Sequence, residues 1–150
     1  MRKRKILYLI TSLNTLGPAK ALVNIGINID TKNFDVVFCH CDGDSDGVFH
    51  RILRSRNIPI YGLNTRGALD IRAVYRLIQV LRREKVDILH SRMARADFLG
   101  RVAGYFYPDM IIVTNISYIY TDHFKTWHKP FVGSLLSRLD GLTLKRADWF

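Results

Sequence analysis

The chain is short of the residues on which several enzyme classes depend. Among its 13 acidic residues only Glu84 is a glutamate, so no pair of catalytic glutamates can be assembled from it. Its two cysteines, Cys39 and Cys41, are too few for a disulfide-stapled secreted scaffold and sit one residue apart. No apolar run approaches the roughly 18 residues that a membrane span needs. The turn after the first apolar segment holds one glycine, Gly17, where a dinucleotide fingerprint needs three, and no Walker A pattern occurs anywhere.

What is present is a basic, core-forming sequence. Of its 150 residues 48% are hydrophobic, and 23 Lys and Arg leave a formal charge of +10. That charge points to phosphates, anionic lipid or nucleic acid as partners and says nothing of the fold. Met1 to Lys5 followed by Ile6 to Ile10 imitates a signal peptide, but five apolar residues fall short of the roughly 7–15 such a segment carries. A buried first strand and a cytoplasmic chain, at most peripheral at the inner leaflet, are the expectation.

Short β-branched runs alternate with helical patterns. Strands are expected at Ile6–Ile10, Phe34–Cys39, Ile58–Tyr61, Val86–His90 and Met110–Thr114. Between them, Leu22, Ile25 and Ile29 mark a first helix, and Val48–Arg56 a second. Asp70 is placed to cap a third that runs to about Lys85, with Ile71, Val74, Ile78 and Leu81 inward and Arg72, Arg76 and Arg83 outward. Ala94–Phe106 forms a fourth through Phe98, Leu99, Val102 and Phe106, and a further helix is expected from about Pro130 to Lys145. The pattern predicts an α/β, Rossmann-like, doubly wound parallel sheet. Arg146 to Phe150 reads as the start of a sixth strand, as though the domain were cut before its last strand.

Ligands of such a sheet lie beyond the carboxyl ends of its strands. This selects Ser12, Asn14, Thr15 and Gly17 after the first strand, and His90, Ser91, Arg92 and Arg95 after the fourth. After the fifth come Asn115, Ser117, Asp122 and His123. Gly17 and Lys20 could face an anion at a helix start, or form an ordinary turn. His90 could bond a sugar hydroxyl or move a proton, or simply bond backbone; Arg92 and Arg95 could hold a phosphate bidentately, or face solvent.

Metal chemistry is weakly supported. Cys39-His40-Cys41 on a strand turns the thiols one way and the imidazole the other, with no second pair to complete four ligands. Asp42, Asp44 and Asp46 hint at calcium, but Leu53 stands where the bidentate Glu belongs. The basic residues Arg2, Lys3, Arg4 and Lys5, with Arg51, Arg54, Arg56 and the Arg72/Arg76/Arg83 stripe, come without a nucleic-acid motif. Aromatics from Tyr118 to Phe131 interleave with Lys125, Lys129, His123 and His128, which suits a membrane interface or a covered crevice.

Several segments, in order, resemble the N-terminal domain of family 4 glycosyltransferases, retaining enzymes of the GT-B type. Lys5 to Leu13 with Gly17-Pro-Ala-Lys-Ala-Leu-Val-Asn24 is similar to that family's first strand and helix start, where Gly-Gly-Ala-Glu is usual. Val86-Asp-Ile-Leu-His-Ser91 is similar to its "DIVHxH" strand, Ala96 to Ala103 to the following helix, and Leu136 to Asp148 to the helix ending in "RADxxIANS". Where the family often has a histidine after strand five, this chain reads Thr114-Asn-Ile-Ser-Tyr118.

The resemblance implies one acceptor-side domain facing an absent C-terminal donor domain. It implies a metal-independent transfer from a nucleotide-diphosphate sugar to a glycan or lipid-linked acceptor, in cell-envelope or exopolysaccharide synthesis. Asn14, Thr15 and Gly17 would meet donor phosphates, while His90, Ser91, Arg92, Arg95, Asn115 and Ser117 would line the acceptor side. Arg2, Lys3, Arg4, Lys5, Arg72, Arg76 and Arg83 would hold an anionic membrane surface. The competing expectation is a non-catalytic Rossmann-like module that binds anionic lipid or a phosphorylated ligand.

Overall fold

A computed structural model describes residues 2–14, 16–43, 46–66, 70–115, 138–139 and 141–149. The aromatic loop and most of the last expected helix lie outside these residues, as do Thr15 and Ser117.

Five strands form one parallel sheet: β1 (Arg4–Ile10), β2 (Phe34–His40), β3 (Ile60–Gly62), β4 (Ile88–Arg92) and β5 (Ile111–Asn115). Their spatial order is β3-β2-β1-β4-β5, so the winding starts at the centre and reverses between β1 and β4. Each strand is covered on both faces, which is why the runs read as continuously apolar. Ile6, Tyr8 and Ile10 point to one face, where helices α1 (Leu16–Ile27) and α2 (Val48–Arg54) pack. Leu7 and Leu9 point to the other, beneath α3 (Ile71–Glu84) and α4 (Ala94–Gly104). No described helix is long and apolar enough to cross a membrane.

The five strands and four helices stand where the sequence places them, with shifted ends. β4 begins two residues later than expected, so His90 lies at its middle and Arg92 at its end. The helix faces differ more. Ile25 and Ile71 were expected inside but are 48% and 82% exposed, and Phe106 lies exposed beyond α4. The inward positions are Ala19, Leu22 and Val23 on α1, Ala73, Leu77 and Leu81 on α3, and Ala96, Leu99 and Ala103 on α4. Alanines take four of these nine places beside leucines and a valine, and glycines mark the closest approaches of helix to sheet. A Cβ at Gly26 would come within 2.7 Å of the Phe38 ring, and one at Gly104 would run into Ile112 Cδ1.

Helix α3 follows its sequence signals at both ends. The Asp70 carboxylate accepts from the N–H groups of Arg72 and Ala73, and Lys85 takes the left-handed conformation that stops the helix. These cap bonds hold the Asp70 carboxyl below its usual range, with the Arg66 N–H the largest contributor. Cys39 and Cys41 lie buried under α3 and α4, and burial pushes the Cys41 thiol up to about 12.

The edges of the sheet are tied by a few polar groups. At the amino end, Asp87 accepts from the Lys5 N–H at 2.7 Å, and its own carbonyl accepts from the Ile111 N–H. Beyond β5, Trp149 bridges Val113 in the parallel sense, so the expected sixth strand is present as one pair. Asp148 Oδ2 accepts from the Ile112 N–H at 2.8 Å. The Arg146 guanidinium donates to the carbonyls of Gly104, Tyr107 and Met110 at 2.7–2.9 Å, clasping the α4–β5 connection to the chain's last segment.

Arg146→Ala strands three largely buried acceptors and should lower stability by about 2–4 kcal/mol. Gly104→Ala overpacks against Ile112 and should cost about 1–3 kcal/mol. Urea midpoints at constant slope measure both, and changes under about 0.5 kcal/mol would contradict this picture of the clasp.

Candidate functional site

Reversal of winding between β1 and β4 opens a crevice at their carboxyl ends, since the connections leave to opposite faces. Two turns frame it. After β1, Ser12 Oγ accepts from the Asn14 N–H at 3.1 Å, and the Asn14 side chain stands exposed beside Gly47 of the β2–α2 loop. After β4, Met93 takes φ 79°, ψ 141°, a backbone state that non-glycine residues rarely hold. Such strain costs about 1–3 kcal/mol and persists only where its surroundings impose it. Met93 offers α4 no side-chain cap; instead Thr11 Oγ1, on the β1 side, accepts from the Ala96 N–H at 3.3 Å. The cap therefore fastens the two walls of the crevice together.

The parallel register sorts the candidate residues by face. Ile10, Arg92 and Asn115 form one row across β1, β4 and β5, and Tyr8, His90 and Val113 form the row below it. His90 and Arg92 are thus neighbours on the α1/α2 face, and the His90 ring lies 5.4 Å from that of Tyr8. Burial first, and Arg92 second, push the His90 pKa below 6.5, so the imidazole is neutral at pH 7.

Arg92 is half-buried, and its Nε is shielded from water with no hydrogen-bond acceptor among the described residues. Asn115 stands exposed at the end of β5. Ser91 does not join this group. It is fully buried on the opposite face, where its hydroxyl meets Thr114 Oγ1 at 3.4 Å, so its expected place in an open cleft is corrected. Arg95 lies in the first turn of α4 and donates to Thr65 Oγ1 at 3.3 Å.

Gly17 is exposed in the first turn of α1, and a Cβ there would meet nothing within 4 Å, so no neighbour in the chain demands glycine. The basic residues divide between the two ends of the sheet and make no continuous stripe. Arg2, Lys3 and Lys5 pair with Asp87, Asp35 and Glu84 at the amino end, and Arg4 is exposed beside them. Arg83, near the end of α3, lies over the Tyr61 ring at 5.9 Å. Arg72 and Arg76 begin α3 at the carboxyl end, where Arg76 reaches the Asn64 carbonyl and Asp70.

Sequence reasoning missed one cluster. His40, turned away from the two cysteines, meets His50 of α2 with their Nε2 atoms 3.3 Å apart. Both are buried, and they line a cavity of about 400 Å³ with Arg54, Asn57 and Gly62. The alternation of Cys39-His40-Cys41 placed His40 on its face; nothing local marked His50 as its partner. Burial and Arg54 lower the His50 pKa against the opposing effect of Asp46. Among the described residues no group of three His, Cys, Asp or Glu could hold a metal.

Residues 17–150 match the family described as Glycosyltransferase Family 4. No curated protein matches the chain in sequence. The fold is shared with solved structures of low identity. One is Acinetobacter baumannii MurG, 14% identical with a TM-score of 0.57 over 91% of this chain and 39% of that one. Another is the UDP-GlcNAc 2-epimerase of Neisseria meningitidis bound to UDP-GlcNAc, 17% identical with a TM-score of 0.60, covering 90% and 38%. A third is S. aureus MnaA with UDP, 20% identical with a TM-score of 0.65, covering 98% and 38%. The chain thus spans under two fifths of the length of these proteins, at 38–39%.

His50 and His90 both have folded-state pKa values below the 6.5 of the free group. Above pH 6.5 both are neutral folded or unfolded. As pH falls below it, the unfolded chain takes up protons first, and stability drops until the folded-state values are passed. The urea midpoint should therefore fall between pH 7.5 and 5.5, and less steeply in His50→Gln and His90→Gln. An unchanged slope in both variants would contradict the assignment. Asp70 and Glu84 titrate lower still and leave this window clear.

Proposed function

This chain belongs to glycosyltransferase family 4, and from that premise we propose that it is the acceptor-side domain of a retaining glycosyltransferase. A separate donor domain would face the carboxyl edge of the sheet and hold most of a nucleotide-diphosphate sugar. The observation that supports this most is the reversal of winding between β1 and β4, which brings the turn holding Asn14 and the β4 end holding Arg92 to the carboxyl edge of two adjacent strands, where such sheets take their ligands. The likeness of fold to proteins solved with UDP-GlcNAc and with UDP is in keeping with a nucleotide-sugar donor.

Roles follow from position. Asn14 and Gly17, at the start of α1, and Thr15 between them in the sequence would approach the donor's phosphates, where helix N–H groups favour an anion. Neutral His90 can accept a proton or donate one to a sugar hydroxyl, while Arg92 and Asn115 supply further donors to an acceptor. Transfer onto a glycan or lipid-linked acceptor in cell-envelope or exopolysaccharide synthesis is the reading that joins this cleft to the basic charge. Membrane contact would be peripheral, with each Lys or Arg near an anionic leaflet contributing about 1 kcal/mol.

The test is sugar transfer from a UDP-sugar, followed by the anomeric proton signal of the product. The 150-residue chain alone should give no transfer, because half of the preorganised cleft is missing. Joined to a family donor domain it should transfer with retention, and Asn14→Ala should lower turnover about tenfold, the value of one hydrogen bond to a charged group. Transfer by the isolated chain, or inversion by the joined protein, would overturn the proposal.

A further inference from the structure

Among the described residues Arg92 differs from the other shielded cations in its partners, not in its Nε, since the Arg76 Nε is also buried without an acceptor. Lys5, Arg76 and Arg146 each meet a carboxylate, Arg95 donates to Thr65, and Arg101 donates to Thr143. Arg92 pairs with no carboxylate among the described residues, and its Nε is out of water without an acceptor. A guanidinium carries five donors in a planar fork, and leaving such a donor desolvated and unbonded is costly. The residue nonetheless stands at the last position of β4, on the crevice wall, in register with Ile10 and Asn115.

Its neighbourhood suits an anion. His90, two residues back on the same face, is neutral at pH 7 and adds no competing charge. Helix α4, which begins two residues on, packs on the opposite face with Asp97 in its first turn and its Ala96 N–H on Thr11 Oγ1, so the positive charge offered to an anion here is that of the guanidinium itself.

We propose that Arg92 is the oxyanion anchor of the crevice, binding a phosphate group of the substrate through the terminal nitrogens of its guanidinium. This rests on the reading of the crevice as a glycosyl-transfer site, and it adds that one substrate presents a phosphate to β4. A phosphate can take both terminal nitrogens of the fork at once, which a sugar hydroxyl does not. The phosphate can belong to the donor, as the diphosphate of a nucleotide sugar, or to the acceptor, as a phosphate on a glycan carrier. The shared chemistry is the phosphate oxyanion.

The experiment is calorimetric titration of the 150-residue chain with inorganic pyrophosphate, alongside the His90 imidazole proton signal followed against pH. Pyrophosphate should bind and should raise the His90 titration midpoint, because an anion on Arg92 cancels the charge that depresses it. Arg92→Ala should weaken binding at least tenfold, and Arg92→Lys should restore only part of it, since a lysine lacks the fork. Lys32→Ala, in the exposed turn before β2, should leave binding unchanged.

UDP and glucose 1-phosphate separate the sources. Displacement of pyrophosphate by UDP alone assigns the site to the donor, and displacement by the sugar phosphate assigns it to the acceptor. Equal affinity in wild type and both Arg92 variants, or a His90 midpoint in the wild-type chain that pyrophosphate does not move, would overturn the proposal. Retained pyrophosphate binding through Arg92 without any sugar transfer by the two-domain protein would overturn the functional reading and leave the anchor standing.

Discussion

A parallel sheet wound outward in both directions from one central strand has to open where the winding reverses, and the rest of this molecule is arranged around that opening. β1 sits at the centre of the order β3-β2-β1-β4-β5, and its connection leaves to one face while that of β4 leaves to the other. Neither helix can fill the gap between the two strands. The Thr11 hydroxyl on the Ala96 N–H ties its two sides together, and a strained Met93 makes the turn. The polar side chains carried to the rim then belong to the crevice by topology.

The two ends of the sheet do different work. At the amino end polar groups are spent internally: Asp87 on Lys5, Glu84 on Lys5 and Tyr61, Arg146 and Asp148 on the backbone around β5. At the carboxyl end β4 keeps Arg92 without a carboxylate among the described residues, and burial holds the His90 pKa down. Two segments that resemble family motifs thus have structural roles in this chain: Asp87 of the fourth strand and the Arg146-Ala-Asp148 triplet both tie strand ends. Only His90 and its neighbour Arg92 extend the same strand motif into the crevice. A motif residue is therefore a functional candidate only after its hydrogen bonds are accounted for.

Much of this was legible in the residues. Continuous apolar strands, the Asp70 cap and the alternation of Cys39, His40 and Cys41 follow from local rules, and they suffice for the fold and for the loops that face the crevice. The helix faces were less legible, because Ile25 and Ile71 satisfy the hydrophobic period as well as Leu22 and Leu77 do. The period alone does not say which of these apolar residues faces the sheet, and it overlooks the alanines and glycines that share the inward face. The two-residue shift of β4 had the largest functional consequence. It moved the strand end from His90 to Arg92 and turned Ser91 into the core. The His40–His50 contact joins residues that only the packing of α2 on β2 brings together.

The central claim is that ligands enter at the carboxyl edge between β1 and β4. The molecule offers a real alternative, since cavities of about 460 Å³ lie at the amino end, one against Arg2, Arg4, Asn33 and Phe34 and another against Lys5, Ile27, Ile58 and Arg56. Amide chemical-shift mapping of the labelled chain with a nucleotide sugar, UDP-GlcNAc, decides between the two ends. The account predicts shifts concentrated in residues 10–17 and 90–96. Shifts centred on residues 2–5 and 33–36, with the β1 and β4 turns unmoved, would contradict it.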